Sequence, residues 1–557
     1  MTHAAEFAAR LMVQGAAKNE GGAETRVEPL CILPLCQRGP LVRICVELRA
    51  SGFESLKCLP LPQPPSQVNS SIYSLVQNIP AVTQEAQRRV SPERGNGMTH
   101  GNPTQTVSAR LALTLIVLGI LAPRLNADAT VVSTDRGTIR GVVNGAVVQF
   151  LGVPYAASPT GSLRFKPPQP HPVWSGVLDA TKPGNRCPSN QRNMQTPMGE
   201  NCLNLGVTVP YAVAVPKMPV YVWFHGGGFQ NGDAALVDPA ASGMTTRNNV
   251  IVVTVNYRLG LLGYLGLPIL DGGDGKTGNY GLEDQQAALR WVKSNIAKFG
   301  GDPTNVTIGG ESAGASSVCQ LFASPDSKGL FVRGIIESGS CGSPLLAMSE
   351  KYKTHATVPE QLGCSGTNEQ VLACLRSEKF SVENALKVSQ ALQGFRPTVG
   401  GGDLPNQPVE SLGLYPSLMG FNFSEPVQII CSTLKAFELN SSSQKAPMYG
   451  YEFHDPASPN VHTSELRYLW LNFVSDSYLP NSASLTGGSA FLSDAMIKYW
   501  GNFIRKGDPN SSGLPTWSPR LHDSDVMQLV PEALGKPADV NAGHSCGAEQ
   551  ISRANVR

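Results

Sequence analysis

The amino-acid sequence predicts an α/β fold with a mostly parallel central sheet and helices on both faces. Two short, nearly continuous apolar runs, 219–224 and 251–255, are typical of strands buried on both faces. Between residues 281 and 299, apolar side chains recur at helical spacing until two glycines and a proline follow. A third run, 306–308, leads into a serine flanked by glycines. Strands that alternate with helices in this order build a parallel sheet covered on two sides.

Length and composition allow a large core but point to no charged partner. The chain has 557 residues, of which 41% are hydrophobic and 15% are charged. Lys plus Arg number 44 and Asp plus Glu number 42, so the formal net charge is +2. This balance offers no electrostatic reason for the chain to bind nucleic acid or an acidic surface. The motifs must therefore decide the function.

Residues 1–97 differ from the rest of the chain. They have no sustained hydrophobic period and no Trp, and Pro, Gln, Ser and Arg are scattered through them. We interpret them as a disordered or non-functional N-terminal extension, or as an upstream translated segment. One glycosylation sequon begins there at Asn69.

Segment 98–129 is typical of a secretory signal peptide. A basic residue precedes a short apolar run at 111–122, and Ala127-Asp128-Ala129 fits a small-residue cleavage site. The run is shorter than the ~20 apolar residues that span a bilayer, so we expect no membrane span in the mature protein. Met98 would then be the functional start, and the protein would be secreted or extracellular. A signal anchor is the alternative.

The cysteines agree with an oxidising compartment. Twelve are present, four before Met98 and eight after it. An even number in a secreted chain is typical of disulfides. No pair has the C-x-x-C spacing of a zinc site, so we expect no metal and no other cofactor.

The sequence Gly310-Glu311-Ser312-Ala313-Gly314 fits G-x-S-x-G, the nucleophile-elbow motif. A β-branched run precedes it and an apolar helical pattern follows it, which is the strand–turn–helix context that the motif needs. The glycines avoid a collision as the helix passes back along the strand. The motif predicts Ser312 as a nucleophile, with the amide of Ala313 at a helix N-terminus, where negative charge is favoured.

A second glycine-rich segment, 225–229, follows the apolar run 219–224. Three consecutive glycines favour neither helix nor strand, but they allow a close backbone approach or a positive φ. A loop after a central parallel strand faces the ligand crevice. We therefore expect the amides of Gly227 and Gly228 to form an oxyanion hole with Ala313. A merely flexible turn is the alternative.

Several segments, in order, resemble the type-B carboxylesterase and cholinesterase family of α/β-hydrolases. The resemblance extends from about Thr130 to Trp517, so it implies an α/β-hydrolase domain over 130–548. The matching segments are 150–156, 163–165, 200–203, 225–229, 256–260, 299–303, 310–314 and 499–503.

The resemblance implies a catalytic triad in the chain order Ser, Glu, His. Ser312 takes the nucleophile position. His462 begins a His-x-x-Glu-Leu segment similar to that of the family, so it would be the general base. His454 is the alternative base.

The acid of the triad would be Glu425. It stands where the family has a strand that ends in Gly-x-Asn-x-x-Glu, although Ser424 and Pro426 depart from the usual pattern. Glu410 and Glu438 are the alternatives.

The resemblance also implies two disulfides, Cys187–Cys202 and Cys364–Cys374. A Cys431–Cys546 bond is a weaker expectation, and Cys319 is expected as a buried free thiol. Sequons begin at Asn305, Asn422, Asn440 and Asn510. The first two lie beside predicted buried strands, so we expect at most the last two to carry glycans.

One segment departs from the family. Only 36 residues lie between Glu425 and His462, where the family has a longer helical excursion. The loss would expose apolar surface or misplace the acid and the histidine.

The resulting hypothesis is a secreted serine carboxylester hydrolase that cleaves small-molecule esters through an acyl-enzyme. The first alternative is a catalytically silent adhesion or ligand-binding member of the family, because folds of this kind can lose their chemistry. A non-folding fragment product is a further alternative. The specificity for the acyl and alcohol groups, and the oligomeric state, do not follow from the sequence.

Overall fold

The chain divides into two units, Met1–Ile116 and Val117–Arg557. In the first unit, β1 (Arg43–Ala50) and β2 (Phe53–Pro60) form an antiparallel hairpin. The signal segment, apart from residue 129, and the rest of the predicted extension lie outside the described residues. The structure, a computed structural model, describes residues 43–50, 53–60, 129–192, 194–211, 216–273, 275–339, 341–423, 427–441, 446–459, 461–471, 473, 485–520, 525–538, 544 and 546.

A large sheet crosses the second unit in the order β18-β17-β16-β15-β12-β11-β9-β10-β8-β6-β5. Neighbours from β17 to β10 pair in parallel, whereas β5, β6, β8 and β18 are antiparallel edges. The strands of this unit are β3 (Val131–Ser133), β4 (Thr138–Arg140), β5 (Val142–Asn144), β6 (Val147–Pro154), β7 (Val177–Asp179), β8 (Asn204–Pro210), β9 (Met218–Phe224), β10 (Ile251–Val255), β11 (Gly301–Glu311), β12 (Arg333–Glu337), β13 (Leu346–Ala347), β14 (Thr398–Val399), β15 (Ser417–Asn422), β16 (Met448–Phe453), β17 (Val526–Leu529) and β18 (Pro537–Ala538).

The helices connect these strands. The predicted helix 281–299 is α4 followed directly by a 3-10 turn, Ile296–Phe299, and Gly300 ends it with φ 85°. The helices of the described part are α1 (Pro239–Ser242), α2 (Met244–Asn248), α3 (Gly260–Tyr264), α4 (Tyr280–Asn295), α5 (Ala313–Ala323), α6 (Met348–His355), α7 (Val358–Gln361), α8 (Asn368–Leu375), α9 (Val382–Leu392), α10 (Val427–Ser441), α11 (Leu466–Leu469) and α12 (Gly487–Lys506).

The core has two parts, one on each face of the sheet. Along β9, Val220 and Val222 join the cluster that contains α4 and α5, whereas Tyr221 and Trp223 join the cluster that contains α12. This alternation follows from the two-residue repeat of a strand. Both sets are fully or almost fully buried, which explains why the sequence of β9 is apolar throughout.

Four disulfides lie in the second unit. Two join the pairs that the resemblance implies, and a third joins Cys431 to Cys546. The expectation of a free thiol at Cys319 is wrong, because Cys319 on α5 is bonded to Cys341, just beyond β12. Since β11 and β12 are adjacent, the helix after one and the segment after the other lie side by side, and the two Cα atoms are 5.7 Å apart.

Three of the sequon asparagines already use their side-chain amide as a hydrogen-bond donor. Asn422 is 2% exposed, and its Nδ2 donates to Glu465. Asn305 Nδ2 donates to the carbonyl of Arg505 at 3.2 Å. Asn510 Nδ2 donates to Trp517 O and to Asp508 Oδ1, both at 2.8 Å, so an attached glycan would displace at least one of these bonds. The side chain of Asn440 is not among the described ones.

Within the described residues, no helix is both long and apolar enough to cross a membrane. The same part of the chain has no group of three or more His, Cys, Asp or Glu side chains suited to hold a metal ion.

Candidate active site

Ser312 lies on the sharp turn between β11 and α5. Its backbone has φ 56° and ψ −118°, a strained conformation for a residue with a side chain. The Ser312 amide donates a 2.9 Å hydrogen bond to the carbonyl oxygen of Glu337, the last residue of β12. The side chain of Ser312 is partly exposed, whereas Ala313 is buried as the first residue of α5. The local geometry is therefore that of a nucleophile elbow.

The elbow glycines are required by the adjacent strand. A Cβ on Gly314 would lie 2.0 Å from the carbonyl oxygen of Phe224, the last residue of β9. A Cβ on Gly310 would lie 2.5 Å from the same oxygen and 2.6 Å from the carbonyl carbon of Gly314. All three contacts are too short for real atoms, so the elbow packs against β9 as well as against its own strand. The sequence predicted the contact between Gly310 and Gly314, but not the contacts of these glycines with Phe224 of β9.

The glycine-rich loop follows β9 and reaches the same end of the sheet. β9 and β11 pair in parallel with Phe224 opposite Gly310, so the segments that follow them emerge side by side. A Cβ on Gly226 would lie 3.1 Å from Ser312 Cβ. Gly227 and Gly228 are exposed and have φ 109° and 63°. The loop that was expected to carry an oxyanion hole thus touches the serine turn.

His462 also lies at the elbow. It precedes α11, and its Nε2 is 3.1 Å from Oε1 of Glu311, the residue before Ser312. The imidazole is 18% exposed and the carboxylate 3%. The alternative base, His454, instead stacks on Phe423 with ring centroids 5.0 Å apart.

The expected acid, Glu425, lies outside the described residues. Its two alternatives are both exposed. Glu410 lies within the 3-10 turn Pro408–Ser411, and Glu438 lies on α10, where it pairs with Lys435 at 3.1 Å. Neither an exposed position nor a pairing with lysine suits a group that must orient the half-buried imidazole of His462.

Sequence reasoning missed two buried carboxyl groups near the serine turn, those of Glu465 and Glu337. Glu465 is fully buried, accepts a 2.6 Å bond from Asn422 Nδ2 and accepts a second bond from Ser338 Oγ. Glu337 is also fully buried, and its Oε1 accepts from Trp500 Nε1 at 2.8 Å. The sequence did contain a signal for Glu465, because it is the glutamate of the His-x-x-Glu-Leu segment that begins at His462.

Burial raises the pKa of Glu337 well above the usual range of a carboxyl, and the nearby charges of Glu465 and Glu311 raise it further. The bond from Trp500 opposes this shift. The Oε2 atom of Glu337 has no hydrogen-bond partner in the part of the chain that the structure describes. Beside Glu311 and Glu465, the site therefore holds a third buried carboxyl, and the pKa of this carboxyl is raised.

The Carboxylesterase family model matches residues 128–426 and 421–540. The chain belongs to the carboxylesterase family. It is 32% identical to mouse acylcarnitine hydrolase over 73% of this chain and 90% of the relative. It is 31% identical to human cocaine esterase over 76% of this chain and 92% of the relative.

Solved structures agree. A thermophilic PNB esterase superposes with a TM-score of 0.65 at 29% identity, covering 72% of this chain and 96% of that one. A second PNB esterase structure has a TM-score of 0.63 at 28% identity. The α/β-hydrolase fold, the family and the assignment as an enzyme are thereby confirmed. The roles of individual site residues and the domain limits stay predictions.

Proposed function

We propose that the protein hydrolyses carboxylic esters through an acyl-enzyme on Ser312, with His462 as general base and Glu425 as the acid that orients it. The observation that carries the proposal is the strained turn at Ser312, which touches Gly226 of the glycine-rich loop. The relatives support an ester as substrate, because those matched over most of their length include an acylcarnitine hydrolase, cocaine esterases and pyrethroid hydrolases.

In the first half-reaction, the imidazole of His462 takes the proton of Ser312 Oγ as that oxygen attacks the ester carbonyl. The tetrahedral intermediate carries a negative oxygen, which the amides of Gly227, Gly228 and Ala313 would bind. Loss of one such donor typically reduces the rate by roughly 100-fold or more. The protonated imidazole then gives its proton to the leaving alcohol, and the ester of Ser312 remains.

In the second half-reaction, His462 removes a proton from water, which attacks the acyl-serine. The carboxylic acid leaves and Ser312 regains its proton. The carboxylate of Glu311, at 3.1 Å from Nε2, favours the imidazolium that forms in both steps.

We also propose that the protein passes through the secretory pathway. Four disulfides in the described second unit suit an oxidising compartment, and segment 98–129 has the pattern of a cleaved signal. N-terminal sequencing of the protein secreted by a eukaryotic host should find a terminus near Thr130. A terminus well before Ala127 would contradict the cleavage site.

The test of the main proposal is hydrolysis of p-nitrophenyl butyrate by the full chain and by Ser312→Ala. We expect turnover by the wild-type protein, a burst of p-nitrophenol that matches the enzyme concentration, and loss of at least about 1,000-fold in the variant. A folded wild-type protein without turnover would overturn the proposal and favour a ligand-binding role. A fully active Ser312→Ala would overturn the assignment of Ser312 as the nucleophile.

A further inference from the structure

The loop proposed to bind the oxyanion has an unfavourable backbone. Three consecutive residues, Gly227, Gly228 and Phe229, have φ of 109°, 63° and 62°. A positive φ is strained for Phe, and such strain persists only where surrounding contacts impose it. Contacts outside the loop must therefore hold its shape.

Contacts within the loop close the turn but do not orient it. The amides of Gln230 and Asn231 both donate to Gly227 O, at 3.0 and 2.9 Å. These bonds define a local turn but do not connect it to the rest of the molecule. Gly228 has nothing within 4 Å of an added Cβ, so the tip of the loop is not packed.

The side chain of Gln230 connects this turn to α9 and to the segment that follows α9. Its Oε1 accepts a 2.7 Å bond from Ser389 Oγ, and its Nε2 donates a 3.0 Å bond to Phe395 O. Ser389 lies on α9 and is 3% exposed. One amide side chain thus satisfies both of its polar ends on a segment about 160 residues away in sequence.

The same hydroxyl connects a third segment. Ser389 Oγ accepts from the amide of Leu261 at 3.1 Å, and the neighbouring Gly260 amide donates to Phe229 O at 2.7 Å. A Cβ on Gly260 would lie 2.5 Å from Ser389 Oγ and 3.0 Å from Gln230 Oε1. The start of α3, the middle of α9 and the glycine-rich loop therefore meet at one buried polar contact.

We propose that Gln230 and Ser389 are positioning residues that aim the amides of Gly227 and Gly228 at the oxyanion. This inference rests on the proposed function and deepens it. Removing the Ser389 hydroxyl leaves Gln230 Oε1 and the Leu261 amide without a partner, and the turn can then rotate. The ester still binds, but the transition state loses part of its stabilisation, so kcat falls while KM holds.

The experiment measures kcat and KM with p-nitrophenyl butyrate, and the inhibition constant of an alkyl trifluoromethyl ketone. Ser312 adds to the ketone carbonyl, and the resulting oxygen anion occupies the place of the reaction's oxyanion. For Ser389→Ala we expect kcat to fall by about tenfold, KM to stay within about twofold, and the ketone to bind more weakly by the same factor as kcat.

Two further variants keep the test independent of folding. Gln230→Asn shortens a half-buried side chain, so it cannot reach Ser389, and it should reproduce the loss in kcat. The double variant Gln230→Asn with Ser389→Ala should lose less kcat than the product of the two single losses, because both variants remove the Gln230–Ser389 bond.

The matched control is Ser381→Ala on the same helix. The exposed Ser381 caps α9 by accepting from the Asn384 amide at 3.1 Å, without contact to the loop. It should lower the melting temperature and leave kcat and the ketone affinity unchanged. If Ser389→Ala and Gln230→Asn behave in the same way, the positioning role is refuted while an inactive Ser312→Ala still supports the esterase. An active Ser312→Ala would instead refute the acyl-enzyme on Ser312, on which the proposed function rests.

Discussion

The two halves of the candidate site are built in different ways. The serine and the glycine-rich loop follow β11 and β9, adjacent parallel strands, and close backbone packing sets their relative position. His462 and the elements near it come from the C-terminal half, where side-chain bonds among Glu465, Asn422 and Ser338 hold the chain. The first half depends on the absence of side-chain atoms, and the second depends on hydrogen bonds between buried polar side chains.

The difference predicts that an added side-chain atom disrupts the nucleophile half through a steric clash. The histidine half should instead be disrupted by loss of a hydrogen bond to a buried carboxyl group. The difference also explains why the first half has a short sequence motif, since the spacing of glycines along one strand is enough to permit the turn. A network of distant polar side chains leaves no such local pattern.

The largest expected effect is that of Gly314→Ala. Its Cβ would lie 2.0 Å from Phe224 O, so the elbow cannot form without separating β9 from α5. We expect little folded protein, and esterase activity below detection in what remains, as judged by thermal unfolding and turnover. Gly272→Ala is the control, because its Cβ meets nothing within 4 Å. Wild-type stability in Gly314→Ala would contradict the steric account.

The next effect is that of His462→Ala, which should leave the fold intact and reduce kcat by roughly four orders of magnitude. His454→Ala should change kcat little, because its ring stacks on Phe423 rather than at the elbow. The comparison is made from single-turnover rates at pH 8. An equal loss in both variants would show that the base is misassigned.

Asn422→Ala tests the polar network of the histidine half. It removes a 2.6 Å bond to the fully buried Glu465, which leaves a buried carboxyl without one of its hydrogen bonds. We expect the free energy of unfolding to fall by about 2–4 kcal/mol, measured by urea denaturation. Asn384→Ala, near the surface of α9, should change it by less than about 0.5 kcal/mol.

The smallest effect concerns pH. The pKa of Glu337 is higher in the folded chain than in the unfolded one, so the folded state binds more protons. Its contribution is fully present at acid pH, below the ordinary pKa of a carboxyl, and is lost as pH rises toward the raised value. Glu337→Gln keeps an acceptor for Trp500 and should flatten the fall in melting temperature as pH rises above the ordinary pKa of a carboxyl. If the variant's melting temperature depends on pH as steeply as that of the wild type, groups other than Glu337 cause the loss of stability.

The fold could be predicted in large part because its signals are local. The apolar run at 251–255 coincides with β10, and the helical period that ends at Gly300 matches α4 and its last turn. The assignments of Ser312 and of the glycine-rich loop were likewise possible from short motifs, since each depends on the backbone freedom of a few neighbouring residues.

What the tertiary structure alone decided are contacts between positions far apart in the chain. Cys319 was expected to be free, yet it meets Cys341 because β11 and β12 are neighbours. Glu337 and Glu465 could not be assigned to the site from sequence, because only the folded chain brings their segments close to Ser312. Gln230 and Ser389 are unremarkable in the sequence, and only the packing of α9 on the glycine-rich loop joins them. Backbone geometry repeats along a chain and can be read from spacing, whereas a hydrogen bond between distant side chains depends on the whole fold.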